Sequence, residues 1–458
     1  MTDFSTKELL KDKKHIHFIG IGGSGMFPLA QILLARGYTI SGSDNNEGDT
    51  LDAERRMGMT IHMGHRAENF EGADLIVHTA AILPDNPELV AARASGIPVV
   101  ERSVLLGAVS AEFDKAVCVS GTHGKTTTTS MITQMLLENG FDPTVVIGGK
   151  LDAIGGNGRA GNSDYMVCEA CEFVDTFLKL HPYVSIILNI DADHMEYFKC
   201  IENTIRSFNR FARMTSGFVI ANGGDANTRK ALEGVERPVI TFGWDAGNDY
   251  YPENIVRDIH GEAVVTRFDL MRRGEKLVSI ELHIPGRHNV INAVAACAAV
   301  VELGVAPEKL PAALSGFHGA HRRFEILGHK NGVTIADDYA HHPAELEVTL
   351  RAAKEMGFNR VWAVFQPFTY SRTAMLLDDF ARVLSIADRV VLSEIMGSRE
   401  KNTYNIYAKD LCERIDGCVW FPDFPEIAEY VMANARPGDL VITLGCGDVY
   451  KCAKLMLK

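Results

Sequence analysis

The sequence predicts an α/β protein of three domains, each built on a largely parallel sheet. Short β-rich apolar runs alternate with helical stretches along the whole chain, the pattern of parallel strands joined by covering helices. Two glycine-rich turns each stand between a strand run and a helix run. The length, 458 residues, exceeds what a single hydrophobic core usually holds. The divisions fall at 1–108, 109–319 and 320–458.

The first block opens with the apolar run His15–Ile19, a glycine-rich turn, and a helical pattern over 26–36. Further strand runs are expected at 38–41, 74–79 and 97–100. The second block restarts with a strand at Lys115–Ser120, a turn at 121–125 and a helix over 126–139. Strands follow at Tyr165–Glu169, 184–190 and 217–221. Residues 239–285 alternate, are turn-rich and lack a helical period, which predicts a small antiparallel subsheet before a helix at 289–303. The third block begins after the Gly- and His-containing link 316–321. It mixes strands at 333–337, 360–365, Arg389–Leu392 and Leu440–Leu444 with helices at 343–356 and 373–384.

A hydrophobic content of 46% with 23% charged residues is that of a globular chain, and the net charge of −13 argues against a general nucleic-acid binder. No apolar run approaches the length of a membrane span, and the polar N-terminus has no apolar leader segment. Nine scattered cysteines, an odd number, do not form a secreted disulfide framework. Cys168 and Cys171 have C-x-x-C spacing, yet no second pair completes a zinc site, which favours buried or loop cysteines. The expectation is a cytoplasmic protein with no membrane or nucleic-acid partner.

The first turn, Gly20-Ile21-Gly22-Gly23-Ser24-Gly25, satisfies G-x-G-x-x-G between strand and helix. Absent side chains let the backbone approach a pyrophosphate at the helix N-terminus. Asp44 follows at the end of the next strand, where a ribose-binding acid is expected. These features predict an N-terminal Rossmann-like fold and, taken alone, point to a dinucleotide such as NAD. The second turn, Gly121-Thr122-His123-Gly124-Lys125-Thr126-Thr127, reads as a P-loop variant in which Val119 occupies the first glycine position of the strict pattern. Its amides can cradle phosphates, Lys125 can neutralise them, and a Thr hydroxyl can reach Mg2+. The central domain is therefore expected to be a P-loop-type ATPase. A dehydrogenase needs no P-loop, and a simple ATPase needs no dinucleotide turn. An enzyme coupling ATP cleavage to a nucleotide-tagged substrate needs both.

Six motifs in order resemble the Mur ligases, which build the peptide stem of bacterial peptidoglycan. They are G-I-G-G-S-G-M at 20–26, G-T-H-G-K-T-T at 121–127, A-D-H-M at 192–195, H-N-V-I-N-A at 288–293, R-R-F-E at 322–325 and D-D-Y-A-H-H-P at 337–343. The resemblance implies that the first turn holds the UDP of UDP-N-acetylmuramate rather than NAD, with Gly20, Gly22, Gly23, Ser24, Gly25, Asp44, Thr79 and Arg102 as its contacts. It implies ATP and Mg2+, L-alanine as the incoming amine, a C-terminal Rossmann-like domain, and a monomer or homodimer. By the same resemblance Lys125 stabilises the transferring phosphoryl group, and Thr126, Glu169 and His194 are metal ligands. Asn289 and Asn292 are nucleotide contacts, although an Asn at a helix start is equally a cap. Arg323 corresponds to a phosphate contact and Asp338 to a ribose contact. Tyr339, His341 and Arg372 correspond to positions around the amino acid and the acyl phosphate, with Lys125, His194, His341 and Arg372 catalytic. A recycling ligase that attaches a preformed tripeptide, and an idle UDP-sugar sensor, are the alternatives.

The chain departs from the family twice. Where the family often has E-A-D-E-S, this chain has Glu169-Ala170-Cys171-Glu172-Phe173, so a carboxylate next to the metal-binding Glu is replaced by Cys171. Where the family commonly has F-Q-P-H-R-Y-T-R, it has Phe365-Gln366-Pro367-Phe368-Thr369-Tyr370-Ser371-Arg372. The final Arg is kept, but one positive charge is missing at Thr369 or supplied elsewhere.

Overall fold

A computed structural model describes residues 6–260, 262–398 and 400–458 and shows a mixed α/β architecture with three sheets. The first sheet contains β1 His15–Ile19, β2 Thr39–Asp44, β3 Thr60–Met63, β4 Leu75–His78 and β5 Val99–Glu101. Its order is β3-β2-β1-β4-β5, all parallel. The strand order reverses between β1 and β4, so the crevice beyond their C-terminal ends is the natural ligand position. The glycine-rich turn leaves β1 there.

The second sheet contains β6 Lys115–Ser120, β7 Thr144–Leu151, β8 Gly156–Arg159, β9 Tyr165–Glu169, β10 Val184–Ile187, β11 Phe218–Asn222, β12 Val239–Phe242, β13 Tyr250–His260, β14 Ala263–Arg272 and β15 Glu275–Leu282. Its order is β15-β14-β13-β12-β11-β10-β6-β9-β7-β8. From β12 to β7 the pairs are parallel, and β8 runs antiparallel to β7. The expected subsheet is a continuation of this sheet rather than a separate one. The two-residue link Arg273-Gly274, with φ +50° and +87°, is the twisted turn that antiparallel neighbours require.

The third sheet contains β16 Glu325–Lys330, β17 Val333–Asp338, β18 Val361–Phe365, β19 Arg389–Leu392, β20 Val419–Trp420 and β21 Leu440–Leu444. Its order is β16-β17-β21-β18-β19-β20, parallel except at β16. Every residue of β17, β18 and β21 is buried, as expected for parallel strands covered on both faces.

Three sheets do not make three packing units. Contacts divide the chain into Met1–Glu253 with Asp269–Val278 and Ile291–Leu314, and Asn254–Phe268 with Ser279–Val290 and Ser315–Lys458. The expected break at 108 lies inside the helix Arg102–Ser110. That helix is tied to later chain: the His181 amide donates to Ser110 Oγ at 3.0 Å, and a Cβ at Gly107 would lie 2.3 Å from the Lys179 carbonyl oxygen. One apolar cluster runs through both sheets of the first unit. The helix expected over 373–384 also splits, into Tyr370–Met375 and Leu377–Leu384, where Leu376 leaves helical geometry at φ −114°.

Two fully buried carboxylates in the first sheet region behave oppositely. Glu88 accepts from His17 (2.9 Å) and His65 (2.8 Å) and from the Ser43 hydroxyl, and these partners outweigh burial to hold its pKa below the usual range. Glu54, on the helix Asp49–Arg56, has no hydrogen-bond partner at either oxygen. Burial, reinforced by Asp44 and opposed by Arg55, pushes its pKa from 4.5 to about 8. Between those values the native state holds a proton that the unfolded chain has released, so stability falls as pH rises across that window. Glu54→Gln is expected to remove this dependence. Its melting temperature should match wild type near pH 5 and exceed it near pH 9, by about 1–3 kcal/mol of stability in denaturant titrations, the usual cost of an unsatisfied buried group.

Candidate functional site

In the first unit, the turn after β1 is held by the backbone of β2. The amides of Gly20 and Ile21 both donate to the Ser43 carbonyl, at 2.8 and 3.0 Å. Asp44 accepts from the Gly22 amide at 3.1 Å and from Asn45 and Asn46, so it fixes the turn from the strand end. Gly20 has φ +81°, and a Cβ there would lie 2.7 Å from the Thr79 methyl. Arg102, at the start of its helix, lies against Gly25, where a Cβ would stand 3.2 Å from its Nε. The chain thus gathers Gly20, Gly22, Gly23, Ser24, Gly25, Asp44, Thr79 and Arg102 around one turn.

The second turn follows β6 and is latched to the segment after β10. The Thr122 amide donates to the Asn189 carbonyl (3.1 Å), the His123 amide donates to Asn189 Oδ1 (2.8 Å), and Asn189 Nδ2 donates to the His123 carbonyl (3.0 Å). Thr122 Oγ1 accepts from the Asp191 amide at 2.9 Å. His123 Nε2 stands 3.7 Å from Asp191 Oδ2. Gly124 takes φ +88° as the cap of the helix Lys125–Glu138. Asn292, on the helix His288–Glu302, stands so close that a Cβ on Gly124 would lie 2.6 Å from its Oδ1. Thr126 and Thr127 are buried in the first turn of the helix. Lys125 Nζ donates to the Gly121 and Thr122 carbonyls (2.5 and 3.1 Å) and to Glu172 (3.1 Å). Burial alone would pull its pKa down, but Glu172, Cys171 and Glu169 together outweigh burial and hold it above the usual lysine value.

Glu169 ends β9 and accepts from the Gly148 amide of β7 at 2.6 Å. A cavity of about 310 Å³ is lined by Ser24, Gly25 and Arg102 at the first turn and by Gly148, Glu169 and Cys171 of the second sheet region. Leu106, Val146 and Phe177 line its apolar part. Burial raises the Cys171 pKa, as does Glu172, against Lys125 and Arg102. His194 sits at φ +56° before the short helix Met195–Phe198. Its ring packs 4.7 Å from Phe173, with Nε2 3.7 Å from Asp193 and Nδ1 3.4 Å from Glu196. Among the described residues no cluster of three or more His, Cys, Asp or Glu is arranged to hold a metal.

In the second unit, Asp338 ends β17 and accepts from the amides of Phe324 and Ala340, both at 2.7 Å. Burial raises its pKa to about 6, opposed by Arg323 and those two amides. Arg323 lies over the Tyr339 ring at 5.1 Å. His341 meets Tyr339 edge-on at 5.6 Å and Phe368 at 6.3 Å, and its Nδ1 is 3.2 Å from Glu345. His342 instead caps the helix Pro343–Glu355 in a reciprocal pair with Glu345, so of the two histidines it is the structural helix entry. Arg372 lies close enough to Cys446 to oppose the burial that pushes that thiol up to about 12. Thr369, at φ +59°, accepts from the Arg372 amide at 3.5 Å and caps the helix Tyr370–Met375, so this position has a backbone task. Asn289 donates its side-chain amide to the Pro285 carbonyl at 2.7 Å, a contact that ties the helix start to its own turn.

Sequence reasoning did not single out Gly148, Asn189 or Glu172. Gly148 lies on a strand that the Gly-Gly pair hid, and Asn189 gains its place only from the pairing of β6 with β10. Glu172 stood inside a quoted motif; its spacing of three from Glu169 was the available signal.

Three family models match consecutive parts of the chain: the Mur ligase family catalytic domain over residues 15–114, the Mur ligase middle domain over 119–300, and the Mur ligase glutamate ligase domain over 322–447. The chain is 45% identical to a UDP-N-acetylmuramate–L-alanine ligase of Acetivibrio thermocellus, covering 97% of this chain and 96% of that one. Among solved structures it is similar to the UDP-N-acetylmuramate–alanine ligase of Thermotoga maritima, with a TM-score of 0.82, 29% identity, and 97% and 98% of the two chains covered. A murein peptide ligase of Psychrobacter arcticus matches with a TM-score of 0.75, 25% identity and the same coverage.

Gly124→Ala is expected to cost about 1–3 kcal/mol of stability, since it forces a side chain to positive φ and into Asn292. It should also weaken ADP binding measured by calorimetry. Adding Asn292→Ala should restore part of the stability and not all, because the backbone strain remains.

Proposed function

The chain belongs to the Mur ligase family, and from that premise we propose that it joins L-alanine to the lactyl carboxylate of UDP-N-acetylmuramate, with cleavage of ATP. The cavity that connects the first glycine turn with Glu169 carries this reading. A substrate whose pyrophosphate lies at Ser24 and Gly25 can extend its acid toward the edge where the P-loop and Glu169 stand.

A carboxylate is a poor electrophile, so the acid oxygen attacks the γ-phosphorus of ATP, ADP leaves, and an acyl phosphate forms. The amine of alanine, in its neutral form, then adds to the acyl carbon. The tetrahedral intermediate collapses with loss of phosphate and the amine's remaining extra proton. Little covalent chemistry falls to the protein, whose work is positioning and charge neutralisation. Lys125 neutralises the transferring phosphoryl group, and the amides at the start of the helix Lys125–Glu138 hold the phosphates, since those of Thr122 and His123 are given to Asn189. Asn292, Arg323 and Asp338 contact the nucleotide; Asn289 belongs to that group only through its neighbours, given its bond to Pro285. Tyr339, His341 and Arg372 serve the amino acid and the acyl phosphate.

The oxygen donors Thr126 and Glu169 fit Mg2+, which takes few protein ligands and keeps several waters. Bound there, Mg2+ would supply charge neutralisation to the phosphates. His194, a nitrogen donor flanked by Asp193 and Glu196, fits a second cation site less closely. The reading keeps the three divisions 1–108, 109–319 and 320–458 as functional domains. It places the reaction in the cytoplasm, in keeping with nine free thiols, and takes the working unit as a monomer or homodimer. Among the described residues no helix is long and apolar enough to cross a membrane.

ADP release is expected to require both UDP-N-acetylmuramate and an amino acid; release without the sugar nucleotide would remove the proposal. L-Alanine should exceed glycine, serine and a stem tripeptide as acceptor, whereas a preference for the tripeptide would assign the recycling reaction instead. Lys125→Ala should lower turnover by about 10²-fold or more, as loss of one group stabilising developing charge does.

A further inference from the structure

The ammonium of Lys125 has three N–H bonds, and all three are engaged within the protein: with the Gly121 carbonyl, the Thr122 carbonyl and the Glu172 carboxylate. A lysine so engaged cannot also hold a phosphate. One of these partners has to be given up, and the two carbonyls belong to the turn that carries the lysine. Glu172 belongs to another segment, is 2% exposed, and is the residue that supplies the opposing charge.

The segment bearing Glu172 is held in place. Thr176 Oγ1 and the Phe177 amide both donate to the Cys171 carbonyl, at 2.8 and 3.0 Å. Asp175, at φ +58°, accepts from the Tyr197 hydroxyl at 2.9 Å and from Ser207. Phe173 packs on the His194 ring. A pinned carboxylate thus faces a lysine on a flexible four-carbon stem, so the lysine is the partner that moves.

We propose that Glu172 is a positioning residue for ATP use: it is the resting counter-ion of Lys125, and the γ-phosphate must displace it, so the Lys125–Glu172 pair sets the apparent affinity for ATP. Only the fraction of molecules whose lysine has left Glu172 is competent to bind, and the apparent dissociation constant rises by the inverse of that fraction. Glu172 also holds the lysine beside its turn when no nucleotide is present. This inference rests on the assignment of Lys125 to the phosphoryl group.

The test is steady-state kinetics of the full-length enzyme with Glu172→Gln, Glu172→Asp and Lys125→Ala, each checked by thermal melting. Glu172→Gln keeps the shape and removes the charge, so KM for ATP is expected to fall about three- to tenfold. KM for L-alanine should stay unchanged. Glu172→Asp, which keeps the charge, should retain a KM for ATP close to that of wild type. An unchanged or raised KM for ATP in a folded Glu172→Gln enzyme would overturn the proposal. If turnover survives Lys125→Ala, the assignment of Lys125 itself fails; if turnover collapses there while Glu172→Gln leaves KM for ATP unmoved, only the role of Glu172 fails. An unfolding comparison gives a second readout: Lys125→Ala alone strands a buried carboxylate, and adding Glu172→Gln should recover stability. Additive losses in that pair would also count against the proposal.

Discussion

Parallel pairing of β9 with β6, in a register that sets Val119 opposite Glu169 and Cys118 opposite Cys168, is the constraint on which the candidate site depends. All strand ends of one sense in a parallel sheet lie along one edge, so whatever follows them meets there. The second glycine turn leaves β6 directly after Ser120, Glu169 ends β9, and Asn189 follows β10, which pairs Ser120 with Ile187. A one-residue slip of β9 would move Glu169 away from the turn and send its buried neighbours to the opposite face. The same logic operates in the first sheet, where β1 between β2 and β4 places Gly20 against the Ser43 carbonyl and the Thr79 methyl.

Burial by itself does not decide how an ionisable group behaves in this protein. Glu88 and Glu54 are equally removed from water, yet three donors keep the first ionised while the second, with none, holds its proton to about pH 8. Lys125 and Glu172 resolve the same difficulty by pairing with each other. Asp338 lies between these cases, with two amides and a nearby Arg323 against complete burial, and its pKa settles at about 6. Lys125 and Asp338 are thus already engaged within the protein, and a ligand reaching either would compete with those partners rather than meet a bare charge.

Much of the framework was legible in the chain because its signals are local. The strands His15–Ile19, Lys115–Ser120, Tyr165–Glu169, Arg389–Leu392 and Leu440–Leu444 have the bounds that their apolar runs predict. Both glycine turns stand where a strand meets a helix. Strands whose burial comes from neighbours were missed: Thr144–Leu151 contains Gly148-Gly149, and Gly156–Arg159 has no β-branched residue at all. The break at 108 was read from the restart of a pattern, but the helix across it packs into a core shared by both sheets.

The sequence alone determined the chemistry available: two glycine-rich turns between strand and helix, a lysine in one of them, and a carboxylate at a strand end. These depend on backbone conformations and residue types that neighbours in the chain dictate. Only the tertiary structure decided which groups face one another. It turned His342 into a helix cap, gave Thr369 a capping task, tied Asn289 to Pro285, and set Glu172 against Lys125 across a gap of 47 residues. Such pairings follow from strand order and register, which no local window of sequence encodes, because the free energy that selects them comes from burial shared by distant segments.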